Sequence, residues 1–143
     1  MKKLTLAVTV ITLYLALFTF SRCSMAVPPF ANPSPSDYST GVTFEEAQKS
    51  GKSIVLYFYV NWCHYCKKFT PTLEDLRQIY EDKYSFVFIN CDEPENKMLM
   101  REYDVTGFPS LFLVDKDKKV RISNSVMGDM SLLRKEFDGF LKK

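Results

Sequence analysis

Residues 54–67 read Ile54-Val55-Leu56-Tyr57-Phe58-Tyr59-Val60-Asn61-Trp62-Cys63-His64-Tyr65-Cys66-Lys67, and the rest of the chain takes its place from them. Ile54 to Val60 is apolar or aromatic at every position, so a strand here would be covered on both faces. That fits a central strand better than an edge one. Phe69, Leu73, Leu76, Ile79 and Tyr80 then recur at helical spacing. The run predicts a strand, a turn, and a helix that opens on Cys63-x-x-Cys66. Two cysteines three apart on a first helical turn share a face and lie close enough for a disulfide. Cys63 falls where unpaired backbone N–H groups and the positive end of the helix dipole favour an anion, and so a thiolate. The pattern points to a redox dithiol. C-x-x-C also serves zinc sites, and cysteines of exported proteins form structural disulfides, so spacing alone leaves those readings open.

At 143 residues the chain fits one domain with a leader and is too short for two ordinary domains. Met1-Lys2-Lys3 is basic, residues 4–20 are uncharged and mostly apolar, and Ser24-Met25-Ala26 sets small residues ahead of Val27. This is the layout of a secretory signal peptide over residues 1–26. An uncleaved membrane anchor and lipidation at Cys23 are the other readings of that segment. All three put the domain outside the cytoplasm, in the periplasm or another extracytoplasmic space. The formal net charge of +2 includes Lys2, Lys3 and Arg22. The domain itself is therefore near neutral, with no charge signature for nucleic acid. Residues 27–40 include Pro28, Pro29, Pro33 and Pro35, four of the seven prolines, and read as an extended tether. Residues 41–143 form the domain.

Within it, Thr43-Phe44-Glu45-Glu46 has the pattern of a capping box, and Gly51 is placed to stop the short helix it opens. Phe44 and Ala47 would share that helix's inner face. Phe86-Val87-Phe88-Ile89, within 84–91, predicts a second buried strand, joined to the first by a parallel crossover through the dithiol helix. Pro94 to Tyr103 reads as a short helix with Leu99 and Tyr103 on one face. Leu111–Val114 and Val120–Ile122 flank the polar segment 115–119, which predicts a hairpin with Lys116, Lys118 and Lys119 in a solvated turn. Leu133, Phe137, Phe140 and Leu141 mark a closing amphipathic helix. The fold class is α/β, a single domain with a central mixed sheet and helices on both faces.

These motifs resemble those of the thioredoxin-fold family, in particular its exported thioredoxin-like disulfide oxidoreductases, over residues 42–141. Trp62-Cys63-x-x-Cys66-Lys67 is similar to the family's active-site signature. Pro71, eight residues on from Cys63, matches the proline of the active-site helix. Val105-Thr106-Gly107-Phe108-Pro109-Ser110 matches the loop that carries a cis-proline, and Gly128 matches a glycine near the site. The helical insertion of DsbA-like oxidases and the dimerisation domain of DsbC-like isomerases have no counterpart here. Two departures stand out. Tyr57 occupies the position, six residues before Cys63, where the family commonly buries an aspartate that helps move the second cysteine's proton. His64-Tyr65 replaces Gly-Pro between the cysteines, which leaves the redox direction open.

The resemblance implies that Cys63 is the attacking thiolate and Cys66 the resolving thiol, cycling through a Cys63–Cys66 disulfide. It implies that His64 and Tyr65 tune the thiols, and that Trp62, Phe108 and Pro109 form the substrate-binding rim, with extended substrate pairing beside Pro109. Cys91, at the C-terminal end of the second strand, which is predicted to be central, reads as a buried inert cysteine; the alternative is a third redox thiol. The expected function is an exported thiol–disulfide oxidoreductase that reduces or exchanges disulfides in cysteine-containing proteins. It would act as a monomer without an organic cofactor or metal, and trade electrons with a redox partner protein, membrane-bound in one reading. Two rivals stand beside it: a copper carrier using Cys63, Cys66 and His64, and a thioredoxin-fold adaptor that binds without turnover. Haem attachment is excluded because Lys67 stands where that motif needs histidine.

Overall fold

The apolar run becomes β1, Ser53–Tyr59, with every residue buried. The computed structural model describes residues 33–38 and 41–142. The signal-peptide segment 1–26, Cys23, and residues 27–32 and 39–40 of the tether lie outside the described residues. Among the described residues no helix is long and apolar enough to cross a membrane.

Among the described residues nine helices and strands follow in order. These are α1 Phe44–Lys49, β1, α2 His64–Tyr80, β2 Tyr84–Asn90, α3 Lys97–Glu102, β3 Ser110–Asp115, β4 Lys118–Ile122, α4 Asn124–Met127 and α5 Met130–Leu141. Short 3-10 turns at Pro35–Asp37 and Pro94–Asn96 accompany them. The sheet order is β2-β1-β3-β4. β2 runs parallel to β1, while β3 is antiparallel to both β1 and β4.

Side chains alternate across a strand, and β1 divides the core accordingly. Val55, Tyr57 and Tyr59 face a cluster with Leu73 and Leu76 of α2 and Leu133 and Phe137 of α5. Ile54, Leu56 and Phe58 face Ala47, Leu99, Tyr103 and Phe112 on the other side. The mixed sheet with helices on both faces is as the sequence predicts. The Thr43 capping box also forms, with the Glu46 N–H donating to the Thr43 hydroxyl at 3.2 Å and the Thr43 N–H to the Glu46 carboxylate at 2.8 Å.

Several local expectations change. β2 is an edge strand, although its sequence is nearly as apolar as that of β1. An apolar run reports that both faces are covered and carries no information on how many strands lie alongside. The free side of β2 receives Gly41-Val42, where the Val42 N–H donates to the Phe86 carbonyl at 2.8 Å. Gly41 has φ +103, and a Cβ there would stand 2.7 Å from that carbonyl oxygen, so a side chain would push the segment away. Ile79 and Leu141, counted on apolar helix faces, are 43% and 40% exposed. At 3.6 residues per turn Ile79 sits about 110° and Leu141 about 70° off the middle of its helix's buried row. Lys118 and Lys119 are not free in a solvated turn. Their ammonium groups lie 4.0 Å from the Phe140 ring centroid and 4.5 Å from that of Tyr103. The predicted helix from Pro94 is a 3-10 turn that continues into α3, and the turn of α4, with buried Met127, is an element the sequence reading lacks.

Candidate active site

Strand register brings the site together. Antiparallel pairing of Phe58 with Ser110 sets the start of β3, and with it Pro109, beside the C-terminal end of β1. Parallel pairing of Tyr59 with Asn90 brings the end of β2 to the same edge. The turn from β1 into α2 leaves from that edge, so two segments remote in sequence, the end of β2 and the start of β3, come to the edge where α2 begins.

Cys63 is the N-cap of α2, in extended conformation, and its Sγ accepts the Cys66 N–H at 3.2 Å. A sulfur in that place takes up one of the N–H groups that a helix start leaves without a backbone partner. Both cysteines are buried, Cys63 at 7% exposure and Cys66 fully enclosed. Both are free thiols. Burial pushes the Cys66 thiol up, and its hydrogen bond with Cys63 adds to the shift; the backbone at Val60 and the Tyr57 hydroxyl oppose it. The two thiols are thus unequal, a less buried one at a helix start and a fully enclosed one behind it.

Beneath them lies Tyr57, fully buried, its ring stacked on Tyr59 at 5.5 Å and edge-on to Phe69 at 5.6 Å. Its hydroxyl is 3.0 Å from the Thr70 hydroxyl and 3.3 Å from the Cys66 carbonyl oxygen. Thr70 donates to the same carbonyl at 2.8 Å. No sequence motif singles out Thr70, although it stands one helical turn after Cys66 on the same face. Pro71 follows within α2, where it leaves the Lys67 carbonyl without its helical N–H.

Trp62 is 73% exposed, which places it on the rim instead of in the core. It is nevertheless held. Its indole N–H donates to Asp92 Oδ1 at 3.1 Å, the Asn61 N–H donates to Asp92 Oδ2 at 3.1 Å, and its ring meets Phe108 edge-on at 6.5 Å. Ser36, from the segment read as tether, donates its hydroxyl to the Asn61 side-chain oxygen at 2.7 Å, beside a buried Pro35. Residues 33–38 therefore pack against the rim and do not run free. No local pattern marks Asp92, Asn61 or Ser36, since their partners lie some thirty or twenty-five residues away.

Asp92→Ala should release the indole. Because Trp62 is the only tryptophan, its fluorescence anisotropy should fall. KM for a peptide disulfide should rise about two- to fivefold, the worth of one exposed hydrogen bond. An unchanged anisotropy would show that Phe108 alone holds the ring.

The Phe108–Pro109 peptide bond is cis. Behind it the Ser110 hydroxyl donates to the Gly107 carbonyl at 2.7 Å and accepts from Arg121 at 2.9 Å, which fastens the loop to β4. Pro109, Phe108, Tyr65, Lys68, Phe69 and Met127 line a groove of about 630 Å³ beside the first turns of α2, with Gly128 also in its wall. His64 and Tyr65 are both exposed on the first turn of α2, their rings 5.9 Å apart. Among the described residues no three His, Cys, Asp or Glu side chains gather in a way that could hold a metal ion.

Cys91 is half-buried after β2, packed against the core cluster that also holds Cys63 and Cys66, with its N–H donating to the Tyr59 carbonyl at 2.8 Å. Burial pushes its thiol up to about 11. The neutral thiol therefore persists at physiological pH, and only the thiolate reacts. With Cys63 and Cys66 both changed to serine, iodoacetamide labelling of Cys91 in the folded protein should climb about tenfold per pH unit from 7 to 10. A plateau near pH 9 would contradict the burial argument.

The thioredoxin family model matches residues 37–135. The chain is 32% identical over 112 residues to "Thioredoxin-like protein HCF164, chloroplastic" of Arabidopsis thaliana, covering 78% of this chain and 40% of that one. It is 31% identical over 93 residues to "Protein disulfide-isomerase 1" of Dictyostelium discoideum, covering 63% of this chain and 26% of that protein. The chain thus spans less than half the length of these curated relatives. Among solved structures, the oxidized mitochondrial thioredoxin 3 of Saccharomyces cerevisiae is similar, with TM-score 0.54 and 26% identity, covering 66% of this chain and 87% of that one.

Proposed function

The chain belongs to the thioredoxin family, and from that we propose that it is an exported thiol–disulfide oxidoreductase acting on disulfides of protein substrates. The observation that carries the reading is the unequal dithiol at the helix start, with the less buried Cys63 as N-cap and the enclosed Cys66 one turn on, in a chain whose Phe108–Pro109 bond is cis. The Cys63 thiolate attacks one sulfur of a substrate disulfide. A Cys63–substrate disulfide forms and the other substrate sulfur leaves with the electron pair. Cys66 then attacks Cys63 Sγ, the Cys63–Cys66 bond forms, and the second substrate sulfur departs. Two electrons pass from the dithiol to the substrate, whose two sulfurs take up protons. A redox partner protein bearing a dithiol restores the pair. Run backward, the same steps oxidise a substrate dithiol.

Trp62, Phe108 and Pro109 would seat the substrate chain, and His64 and Tyr65 would set the balance between dithiol and disulfide. Export rests on the basic start, the apolar run and the small residues before Val27. The domain would work as a monomer, in the periplasm or another extracytoplasmic space.

The test is an equilibrium titration of the protein against a thiol buffer, with the Cys63–Cys66 state read by mass. A potential near about −270 mV places it with reductases, and one near about −120 mV with strong oxidants. If no reversible disulfide forms between these cysteines, the reading fails.

A further inference from the structure

Residues 33–38, read as tether from their prolines, hold a 3-10 turn closed on itself. The Asp37 N–H donates to the Ser34 carbonyl at 2.9 Å, and the Ser34 N–H to the Asp37 carboxylate at 2.7 Å. Pro35 is buried and the turn packs against α2. From this turn Ser36 makes two bonds to one atom, Asn61 Oδ1, through its hydroxyl at 2.7 Å and its N–H at 3.3 Å. An amide oxygen has two lone pairs, so both are taken. Asn61 gives its own backbone N–H to one oxygen of Asp92, and the other oxygen takes the Trp62 indole N–H, both at 3.1 Å. Asp92 is steadied by its N–H, which donates to the Asn90 side-chain oxygen at 3.1 Å. Three segments far apart in sequence thus meet in one run of bonds, and the run ends on the exposed indole next to Cys63.

We infer that Ser36 and Asn61 are positioning residues for substrate docking: the turn within 33–38 is a strap that fixes the Asn61 side chain, and through Asn61 and Asp92 it sets where the Trp62 indole stands on the rim. This rests on the oxidoreductase reading above, in which Trp62 seats the substrate chain. Trp62 is 73% exposed, so packing confines its ring on one side only, at the edge-on contact with Phe108. A ring that is already ordered contributes more to binding, because the substrate does not have to meet the cost of ordering it. Asn61 lies in the turn that joins β1 to α2, immediately before Trp62. Its backbone N–H meets Asp92 while the turn keeps its orientation, and the two bonds from Ser36 hold that turn from the opposite side. Among the described residues the strap makes no hydrogen bond to Cys63 or Cys66, so its effect falls on docking and not on the exchange chemistry.

The test uses the full chain, dithiothreitol as reductant, and two disulfides: an extended peptide disulfide that reaches the rim and hydroxyethyl disulfide, which is too small to. Asn61→Ala should raise KM for the peptide about two- to fivefold, the worth of a net hydrogen bond, and leave kcat within about twofold. The rate with hydroxyethyl disulfide should not move, and the fluorescence anisotropy of Trp62, the sole tryptophan, should fall. Ser36→Ala should shift KM in the same direction and by less, because the backbone N–H of residue 36 remains, and Ser36→Thr should restore it. In a Trp62→Ala background neither substitution should raise KM further, since the side chain they act through is gone. A folding loss lowers the rate with both disulfides, so the ratio between the two substrates is the readout. An unmoved peptide KM in Asn61→Ala overturns the inference, and so does a rise of equal size with and without the Trp62 ring; both leave the oxidoreductase reading standing. A wild-type protein that turns over neither disulfide overturns that reading and this inference with it.

Discussion

If the chain is the oxidoreductase proposed, Cys63→Ser should abolish disulfide exchange, lowering turnover of a peptide disulfide by about a thousandfold or more, as loss of a nucleophile does. The fold should survive, because serine keeps the size of the side chain and its oxygen can still accept the Cys66 N–H that Sγ now takes at 3.2 Å. Cys66 cannot substitute for it. It is fully enclosed, and burial works against its thiolate. The complementary variant gives the opposite signature. With Cys66→Ser the attack proceeds, but nothing displaces the substrate, so a Cys63–substrate adduct should accumulate and be visible as an added mass. Residual turnover in Cys63→Ser within tenfold of wild type would mean another thiol does the chemistry, and the unequal dithiol would lose its meaning. Partner binding by a wild-type protein that shows no turnover would favour the adaptor reading.

Phe137→Ala should destabilise the domain by about 3–5 kcal/mol, a large share of a typical domain's total. Phe137 is fully buried on α5, with ring centroids 5.2 Å from Tyr80, 5.1 Å from Tyr84 and 6.2 Å from Phe86. It thereby joins α5 to both α2 and β2, and its backbone carbonyl also accepts the Tyr84 hydroxyl at 2.7 Å. Truncation removes the apolar contact and leaves a cavity among rings that cannot close over it. Urea unfolding followed by circular dichroism measures the loss. Leu141→Ala, at the exposed end of the same helix, should stay within about 0.5 kcal/mol. Equal losses at the two positions would show that α5 contributes through its backbone alone.

Whatever rests on contiguous residues was legible before any coordinates. The unbroken apolar run became β1 because burial of both faces is a statement about each residue's own surroundings, and alternation then sorted its side chains between two cores. The Thr43 capping box and the Cys63 N-cap were legible for the same reason, since the groups that meet are three residues apart. The cis bond before Pro109 came from resemblance, because nothing local in the residues dictates it.

Only the tertiary structure settled what depends on register and on neighbours across space. An apolar pattern cannot count adjacent strands, so β2 could be recognised as buried without being recognised as an edge. Helical spacing named Ile79 and Leu141 as inward, and their helices' packing turned both toward solvent. Asp92 fastening Trp62, and Ser36 fastening Asn61, join partners that no pattern links, because strand pairing decides which chain ends meet. The same holds under the dithiol. The sequence alone shows a phenol where the family commonly has a carboxylate, six residues before Cys63. That it meets Thr70 and the Cys66 carbonyl is decided by how α2 lies on β1, which is a matter of packing between two elements and not of either one's residues.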